Sequence, residues 1–361
     1  MCTRCIRVCD ELVGDHVLDM RERGNRNEIV LAPGRELDHD YTLMTEHVCP
    51  VGALTSRDFR FKARVWFLKS VEGVCTGCAT GCNSHVDFDP RYGKVYRLRP
   101  RDNEDVNQFW MCDAGMMTYR EVHDGRVTTP VVGRGEDADP VLIEEAIDEV
   151  VEQLSKVDGS KVGVVLSALH STEDNFVLAR FAEQLGSDKL YLAARSAELE
   201  AWEADSILRD EDPNPNRAGA ILASGRELDE SVEDLVSDVL AGEVEAVIAL
   251  GPWCGEQDEA LEPLRKLATI VSLTANEGTL PSVASVVVPV ASWAEQFGTF
   301  TNAKGHAQTF QRAFAPPTGI EPAWRTLVAI AEGLGLSLTY ARTGDVRKDM
   351  NTAPASAAAP A

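Results

Sequence analysis

Three closely spaced cysteines and a fourth further along the chain form the most informative pattern in this sequence. Cys75, Cys78 and Cys82 come first, and Cys112 follows thirty residues later. Thiolates at this spacing can converge on one inorganic core, and four thiolates around a cubane is the usual way in which proteins hold a 4Fe–4S cluster. The intervening glycines suit the tight turns that would point successive sulfurs inward. The alternatives are a zinc site with four cysteine ligands and four unrelated core cysteines.

A second set of cysteines opens the chain. Cys2 and Cys5 have the Cys-x-x-Cys spacing, and Cys49 lies far downstream, directly before Pro50. This arrangement is ferredoxin-like, because adjacent thiolates hold one side of a cluster and the distant cysteine closes it. Cys9, taken alone, is interpreted as a small buried hydrophobic residue rather than a ligand. The sequence therefore predicts a second iron–sulfur site that uses Cys2, Cys5 and Cys49.

Composition and charge limit the other functions that the chain could have. Its 361 residues allow two or three domains, and 44% hydrophobic residues is an ordinary content for a globular protein. No apolar run approaches the length that spans a bilayer. Nine cysteines in clusters, with no export signal before them, indicate metal ligation rather than disulfides. The net charge is −23, and residues 126–361 hold 38 acidic but only 18 basic side chains, which argues against direct nucleic-acid binding.

From residue 126 onward, buried strands alternate with amphipathic helices, which predicts a parallel α/β sheet. The predicted strands cover 161–166, 190–192, 246–251, 270–273 and 286–289, and the predicted helices cover 140–157, 172–185, 231–240 and 261–267. The Gly-x-Gly-x-x-Gly fingerprint of NAD-binding domains does not follow the first strand. Two segments are expected to lack regular structure: the glycine-bounded loop 298–305, and a low-complexity tail at 344–361 that is expected to be disordered.

Two short strands are predicted nearer the N-terminus, at 29–34 and 94–100. The second of these places Arg97, Arg99 and Arg101 on one face. A solvated strand face is the plain interpretation. The functional alternative is a basic surface that tunes a nearby cluster or docks an acidic partner. Trp110, close to Cys112, would either shield a cluster from water or pack in the core.

Three blocks of sequence together resemble the large iron–sulfur subunit (the 75 kDa subunit) of proton-pumping NADH:quinone oxidoreductase, respiratory complex I. They are the Cys2–Cys5 pair with Cys-Pro-Val-Gly-Ala-Leu at 49–54, the four-cysteine set at 75–112, and Trp-Ala-Glu-Gln-Phe-Gly-Thr-Phe-Thr-Asn at 293–302. The last block is shared with molybdopterin oxidoreductases generally. The resemblance implies an α/β protein with a ferredoxin-type segment at 1–68, a 4Fe–4S module at 69–125 and a shortened molybdopterin-oxidoreductase-like domain at 126–343.

The resemblance also implies two 4Fe–4S clusters. The ligands would be Cys75, Cys78, Cys82 and Cys112 for one, and Cys2, Cys5 and Cys49 for the other. Family members usually have one more cysteine, three residues before Cys2, and a 2Fe–2S ferredoxin domain before that. The chain is therefore expected to be truncated at its front. Cys9 is the nearest substitute ligand, although the family does not use that position.

As a function, the resemblance implies an electron-transfer subunit without a complete catalytic site. It would relay electrons from a flavin-bearing, NADH-binding partner toward quinone-side iron–sulfur subunits, at the cytoplasmic face of the bacterial inner membrane. Contact with the membrane would come only through the complex. No molybdenum is expected, since Cys254 is the only candidate ligand in the α/β region. The alternatives are a molybdopterin enzyme such as a formate dehydrogenase chain, and a zinc-stapled scaffold without redox chemistry.

Overall fold

The computed structural model describes residues 2–22, 24–198, 201–228, 231–252 and 261–352. Its first 68 residues fold around a small core of Cys5, Cys9, Val17 and Leu18. The elements of this N-terminal segment are α1 (Arg4–Arg7), which continues as a π-helical turn (Val8–Val13), the antiparallel pair β1 (Leu18–Arg21) and β2 (Glu28–Leu31), α2 (Thr42–His47), and a 3-10 turn (Val65–Phe67). β2 confirms the strand that was predicted near residue 29.

The next module is an antiparallel sheet that packs against one helix. Within the described residues its strands are β3 (Lys69–Val74), β4 (Asn83–Asp89) and β5 (Lys94–Pro100), and its helix is α3 (Asp113–Met117). The core of this sheet also takes in Tyr41 and Met44 from the N-terminal segment and Ala294 from the third domain. The three parts of the chain therefore share one hydrophobic core beside the four-cysteine set.

The third domain is built on a mostly parallel sheet, as the alternation of strands and helices predicts. The described strands are β6 (Val131–Val132), β7 (Asp139–Pro140), β8 (Val162–Ser167), β9 (Leu190–Ala193), β10 (Ala246–Leu250), β11 (Thr269–Thr274) and β12 (Val286–Pro289). Their order is β7-β6-β12-β11-β10-β8-β9, in which β12 through β9 run parallel and β6 and β7 add an antiparallel edge. The central strands are buried apolar runs, because helices cover both faces of the sheet.

The helices of this domain lie on the two faces of the sheet. They are α4 (Ile143–Ser155), α5 (Thr172–Leu185), α6 (Arg217–Ser224), α7 (Val232–Ala241), α8 (Glu262–Arg265), α9 (Thr279–Val283), α10 (Ala323–Gly333) and α11 (Thr343–Thr352). α4, α5 and α10 contribute to one core, and α7 and α8 to the other. α5 coincides with its predicted range because Ser171 caps its first turn and Gly186, at φ +84°, ends it. No described helix is long and apolar enough to cross a membrane.

Two predictions of irregular structure are wrong. The segment at 298–305 is not a loop throughout: β13 (Gly298–Thr301) pairs antiparallel with β14 (Ala307–Phe310), and the rings of Phe300 and Phe310 pack with centroids 4.7 Å apart. The segment 344–352 belongs to α11, whose Val346 is buried in the core and orders the helix. Residues 353–361 and Cys254 lie outside the described residues.

Candidate iron–sulfur sites

The four cysteines of the second module lie together at the end of its sheet. Cys75, Cys78 and Cys82 are in the loop between β3 and β4, and Cys112 is the N-cap of α3. The Cys75 N–H donates to the Cys82 carbonyl at 2.8 Å, which closes the base of the loop. Gly81, at φ +63°, donates to the Cys78 carbonyl and turns the chain between the last two cysteines. All four thiols are only 4–6% exposed.

The cysteine cage, as we call Cys75, Cys78, Cys82 and Cys112, lines a small cavity of about 10 Å³. Within the described residues, no three of these cysteines have sulfurs that all lie within 4.8 Å of one another. A single zinc ion with Zn–S bonds near 2.3 Å would hold its sulfurs about 3.8 Å apart. The sulfurs of the cage are therefore spread more widely than one zinc ion requires, which suits a cubane with iron between the thiolates.

Backbone N–H groups approach the sulfurs of the cage. Gly77 donates to Cys75 Sγ at 3.3 Å, and Gly115 donates to Cys112 Sγ at 3.3 Å. A Cβ added to Gly115 would lie 3.0 Å from Cys75 Sγ and 3.3 Å from Cys112 Sγ. Such N–H···S contacts are among the features that set cluster potentials. Sequence reasoning missed Gly115, although a glycine in the first turn of a helix, three residues after a ligand, is a readable signal.

The electrostatics of the cage favour a cationic occupant. Burial, together with the neighbouring thiols, raises the pKa of Cys75 and of Cys82 well above the usual range. Burial also raises the pKa of the Cys112 thiol to about 12, although the N–H of Gly115 and the charge of Arg209 oppose this. Four buried thiolates repel one another, so the set needs a positive centre among them. The residues present fit a metal cluster.

The structure brings the three predicted N-terminal ligands close together, at the surface. Cys5 is buried, Cys49 is half-buried and Cys2 is exposed. Burial raises the pKa of the Cys5 thiol, and the nearby charges of Cys49 and Cys2 add to the rise. The pKa of the Cys49 thiol is lowered because the backbone N–H groups of residues 51–54, led by Leu54, hydrogen-bond to it. The Cys-Pro-Val-Gly-Ala-Leu block thus forms a backbone pocket for a thiolate.

Cys9 lies in a different environment from the other N-terminal cysteines. It is fully buried, with its Sγ 3.5 Å from His39 Nε2, and Asp15 Oδ2 is 3.9 Å from the same nitrogen. His39 Nδ1 accepts the N–H of Tyr41 at 3.1 Å, so Nε2 carries the ring proton. A metal-bound histidine instead donates its second N–H. The Cys9–Asp15–His39 group is therefore a hydrogen-bonded core cluster rather than a cation site.

The predicted basic strand face is half-buried and paired with an acidic residue. Arg97 Nε and Arg99 Nε both donate to Asp87, at 2.8 and 2.7 Å, and Asp87 is only 3% exposed on the neighbouring strand β4. Arg101 donates to the side chain of Asn83. Asp87 offsets part of the positive charge of this face, so the face is ion-paired and half-buried rather than simply solvated. Trp110 packs, partly buried, against the core that contains Cys112.

The block at 293–302 ties the α/β domain to the cage. Asn302 Nδ2 donates to the Thr80 carbonyl at 3.1 Å, and Gln308 Nε2 donates to the Gly81 carbonyl at 2.8 Å. Farther from the cage, Glu295 pairs with Arg126 at 2.6 Å. The α/β domain therefore supports the cysteine loop directly, and the pairing of β13 with β14 positions that support.

An open cleft of about 500 Å³ lies at the carboxyl ends of β8, β11 and β12, beside the cysteine loop. Ligands of α/β sheets bind at such strand ends. The cleft is lined by His170, Arg195, Trp293 and Gln296 among others. Burial lowers the pKa of His170 to about 4, so this imidazole is neutral near pH 7. The cleft is large enough to hold an organic cofactor.

Three family models match this chain. They are the ferredoxin-like domain of NADH-quinone oxidoreductase subunit 3 at residues 1–55, the molybdopterin oxidoreductase Fe4S4 domain at 68–124, and molybdopterin oxidoreductase at 217–333. All eight predicted ligands fall within the first two ranges, with Cys9 counted among them. These matches support 4Fe–4S binding by the first 124 residues.

The similar proteins carry the names of one enzyme complex. The G subunit of NADH-quinone oxidoreductase from Mycobacterium bovis is 34% identical over 214 residues, which are 57% of this chain and 26% of that protein. Subunit 3 of the Thermus thermophilus enzyme is 31% identical over 54% of this chain and 25% of its own length. The NADH-ubiquinone oxidoreductase 75 kDa subunit of Reclinomonas americana is 31% identical over 58% of this chain and 31% of its own length. The chain thus spans about a quarter to a third of the length of these relatives.

Among solved structures, acetylene hydratase from Pelobacter acetylenicus is similar, with a TM-score of 0.52 and 11% sequence identity. The match covers 74% of this chain and 69% of that chain. At this identity the likeness shows the fold alone. Together with the three family-model matches, it confirms the expected α/β fold class, with ferredoxin-like and Fe4S4 domains before a molybdopterin oxidoreductase domain.

Proposed function

We propose that this chain, which is 34% identical to a G subunit of NADH-quinone oxidoreductase over 57% of its own length, is an electron-transfer subunit of such a complex. It would relay electrons from a flavin-bearing partner toward quinone and act on no substrate itself. The observation that carries this proposal is the cysteine cage, whose four buried sulfurs are spaced for a cluster rather than for zinc. Bound 4Fe–4S clusters supply one-electron acceptance and donation.

The residues of this chain would hold each cluster and control its surroundings. Cys75, Cys78, Cys82 and Cys112 would bind one cluster in a dry cage, with N–H groups of Gly77 and Gly115 on its sulfurs. Cys2, Cys5 and Cys49 would bind the other at the surface, where a partner subunit can approach. Burial, N–H···S bonds and nearby charge are the means by which the protein would set each potential.

The α/β domain would serve as a scaffold without molybdenum. The scaffold role is supported by hydrogen bonds that hold the cysteine loop. They come from segment 202–212, Asn302 and Gln308 of this domain. The partners would be other peripheral-arm subunits, on the flavin side and on the quinone side. With them the chain would lie at the cytoplasmic face of a bacterial inner membrane.

The second candidate function is a molybdopterin-dependent oxidoreductase, which the open cleft at the strand ends favours. Metal analysis of anaerobically purified protein separates the two. The electron-transfer subunit contains iron and labile sulfide but no stoichiometric molybdenum, tungsten or pterin. A fluorescent pterin released on oxidation would favour the molybdopterin enzyme.

The proposed function is tested by visible absorption and electron paramagnetic resonance during reduction of the full chain with dithionite. We expect brown protein that partly bleaches and gives a paramagnetic signal. A colourless protein with stoichiometric zinc would contradict the proposal, since zinc has no redox chemistry in proteins.

A further inference from the structure

The segment at 202–212 of the α/β domain covers the cysteine cage and brings one charged side chain to it. Trp202, Leu208 and Arg209 line the cage cavity from this side. Resting on the proposed function, we propose that the guanidinium of Arg209 raises the reduction potential of the cluster held by the cysteine cage, and that Asp40 limits this effect. Arg209 and Asp40 thus form a charge pair that links the N-terminal segment to the cysteine cage.

The backbone around Arg209 is fixed by hydrogen bonds from three parts of the chain. Asp205 Oδ1 accepts the N–H groups of Ile207, Leu208 and Arg209 at 2.7–2.9 Å. The hydroxyl of Tyr41 donates to Asp205 Oδ2 at 2.6 Å. The cysteine loop contributes the hydroxyl of Thr80, which donates to the Leu208 carbonyl. Segment 202–212 is therefore hydrogen-bonded both to the cysteine loop and to the N-terminal segment, which fixes the position of the Arg209 guanidinium.

The Arg209 side chain is nearly buried and only partly neutralised. It is 11% exposed, and its guanidinium lies over the ring of Trp202, 4.5 Å from the centroid. Its Nη1 is 2.9 Å from Asp40 Oδ2, but Asp40 is 63% exposed, so water weakens the field of that carboxylate at the cage. Nε is buried and finds no hydrogen-bond acceptor among the described residues. A positive field therefore remains at the cavity.

A positive charge beside a set of thiolates favours the state that carries one more electron. Besides its ion pair with Arg209, Asp40 is linked to the cage through its backbone. Its carbonyl accepts the N–H of Asp113, the residue after Cys112, at 2.7 Å. A shift of residues 40–43 would thus move the carboxylate that offsets the Arg209 charge.

The test compares Arg209→Gln, Arg209→Lys and Asp40→Asn in redox titrations of the full chain, reconstituted anaerobically and followed by electron paramagnetic resonance. For Arg209→Gln we expect the reduction equilibrium of the cluster in the cysteine cage to shift about tenfold toward the oxidised form, about 59 mV for one electron. Asp40→Asn should shift it by a smaller factor in the opposite direction. Arg209→Lys should stay near the wild-type potential, because it retains the charge.

A merely structural role would not give shifts of opposite sign. Equal potentials in Arg209→Gln and wild type, or shifts of the same sign in Arg209→Gln and Asp40→Asn, would overturn the inference. Loss of the cluster in both Arg209→Gln and Arg209→Lys would also overturn it, because shape rather than charge would then be required. If the wild-type chain itself takes up no iron in the cage, the proposed function fails first, which is a separate result.

Discussion

The two predicted cluster sites differ in how much of the molecule holds them. The N-terminal site rests on a core of four residues, with Cys2 exposed and Cys49 half-buried. The cysteine cage is buried in a core shared by all three parts of the chain. The Cys49 thiol obtains its N–H donors from its own loop, whereas the cage is also held by the α/β domain. The comparison indicates that the N-terminal site depends on its bound group, whereas the fold preforms the cysteine cage.

The largest expected effect comes from filling the space beside the cage sulfurs. In Gly115→Ala the new methyl group would lie 3.0 Å from Cys75 Sγ, which pushes the sulfur out of place. We expect loss of most of the iron of the cage, measured by iron analysis, with the N-terminal site unchanged. The matched control is Gly77→Ala, whose methyl group meets its nearest atoms at the ordinary contact distances of 3.4 and 3.5 Å. Equal iron contents in the two variants would contradict the role of Gly115.

The difference in exposure should appear in the rate of iron loss. Under anaerobic treatment with an iron chelator, we expect the N-terminal site to lose its iron at least about tenfold faster than the cage, because its ligands are more accessible. Loss of that metal should also unfold part of residues 2–68, which binding had stabilised. Hydrogen exchange would detect the unfolding. Faster iron loss from the cage than from the N-terminal site would contradict this expectation.

A smaller effect is expected from the ion pairs that Asp87 on β4 makes with Arg97 and Arg99 on β5. Burial opposes ionisation of Asp87, but hydrogen bonds and charge from Arg99 and Arg97 hold the pKa of Asp87 below its ordinary value. A carboxyl whose pKa is lowered on folding stabilises the fold above its unfolded pKa, near 3.9, and that stabilisation is lost as the pH falls through the folded pKa.

Replacing this carboxylate tests the same pairs directly. In Asp87→Asn we expect the free energy of unfolding to fall by about 2 kcal/mol near neutral pH, because two partly buried guanidinium groups lose their counter-charge. The difference from wild type should shrink as the pH falls below 4. Urea denaturation at several pH values measures both. A destabilisation that persists unchanged in acid would show that packing, and not charge, is responsible.

The sequence predicts the parallel sheet, α5 and the grouping of the cysteines, because these depend on local periodicity and spacing. The sequence-based prediction fails where contacts with a segment distant in sequence determine the local structure. The segment 298–301 has the pattern of a polar loop, and it becomes a strand because β14 pairs with it. Arg97 and Arg99 have the pattern of a solvated face, but both donate to Asp87 on β4. Arg209 lies in an irregular segment that only tertiary hydrogen bonds hold against the cage.

The central claim is that the cysteine cage holds a 4Fe–4S cluster independently of the N-terminal site. It is tested most directly by iron and sulfide analysis of anaerobically prepared wild type, Cys78→Ser and Cys49→Ser. We predict that Cys78→Ser loses about four irons and the paramagnetic signal of the cage, while Cys49→Ser keeps both. An unchanged iron content in Cys78→Ser, or stoichiometric zinc in the wild-type cage, would contradict the account.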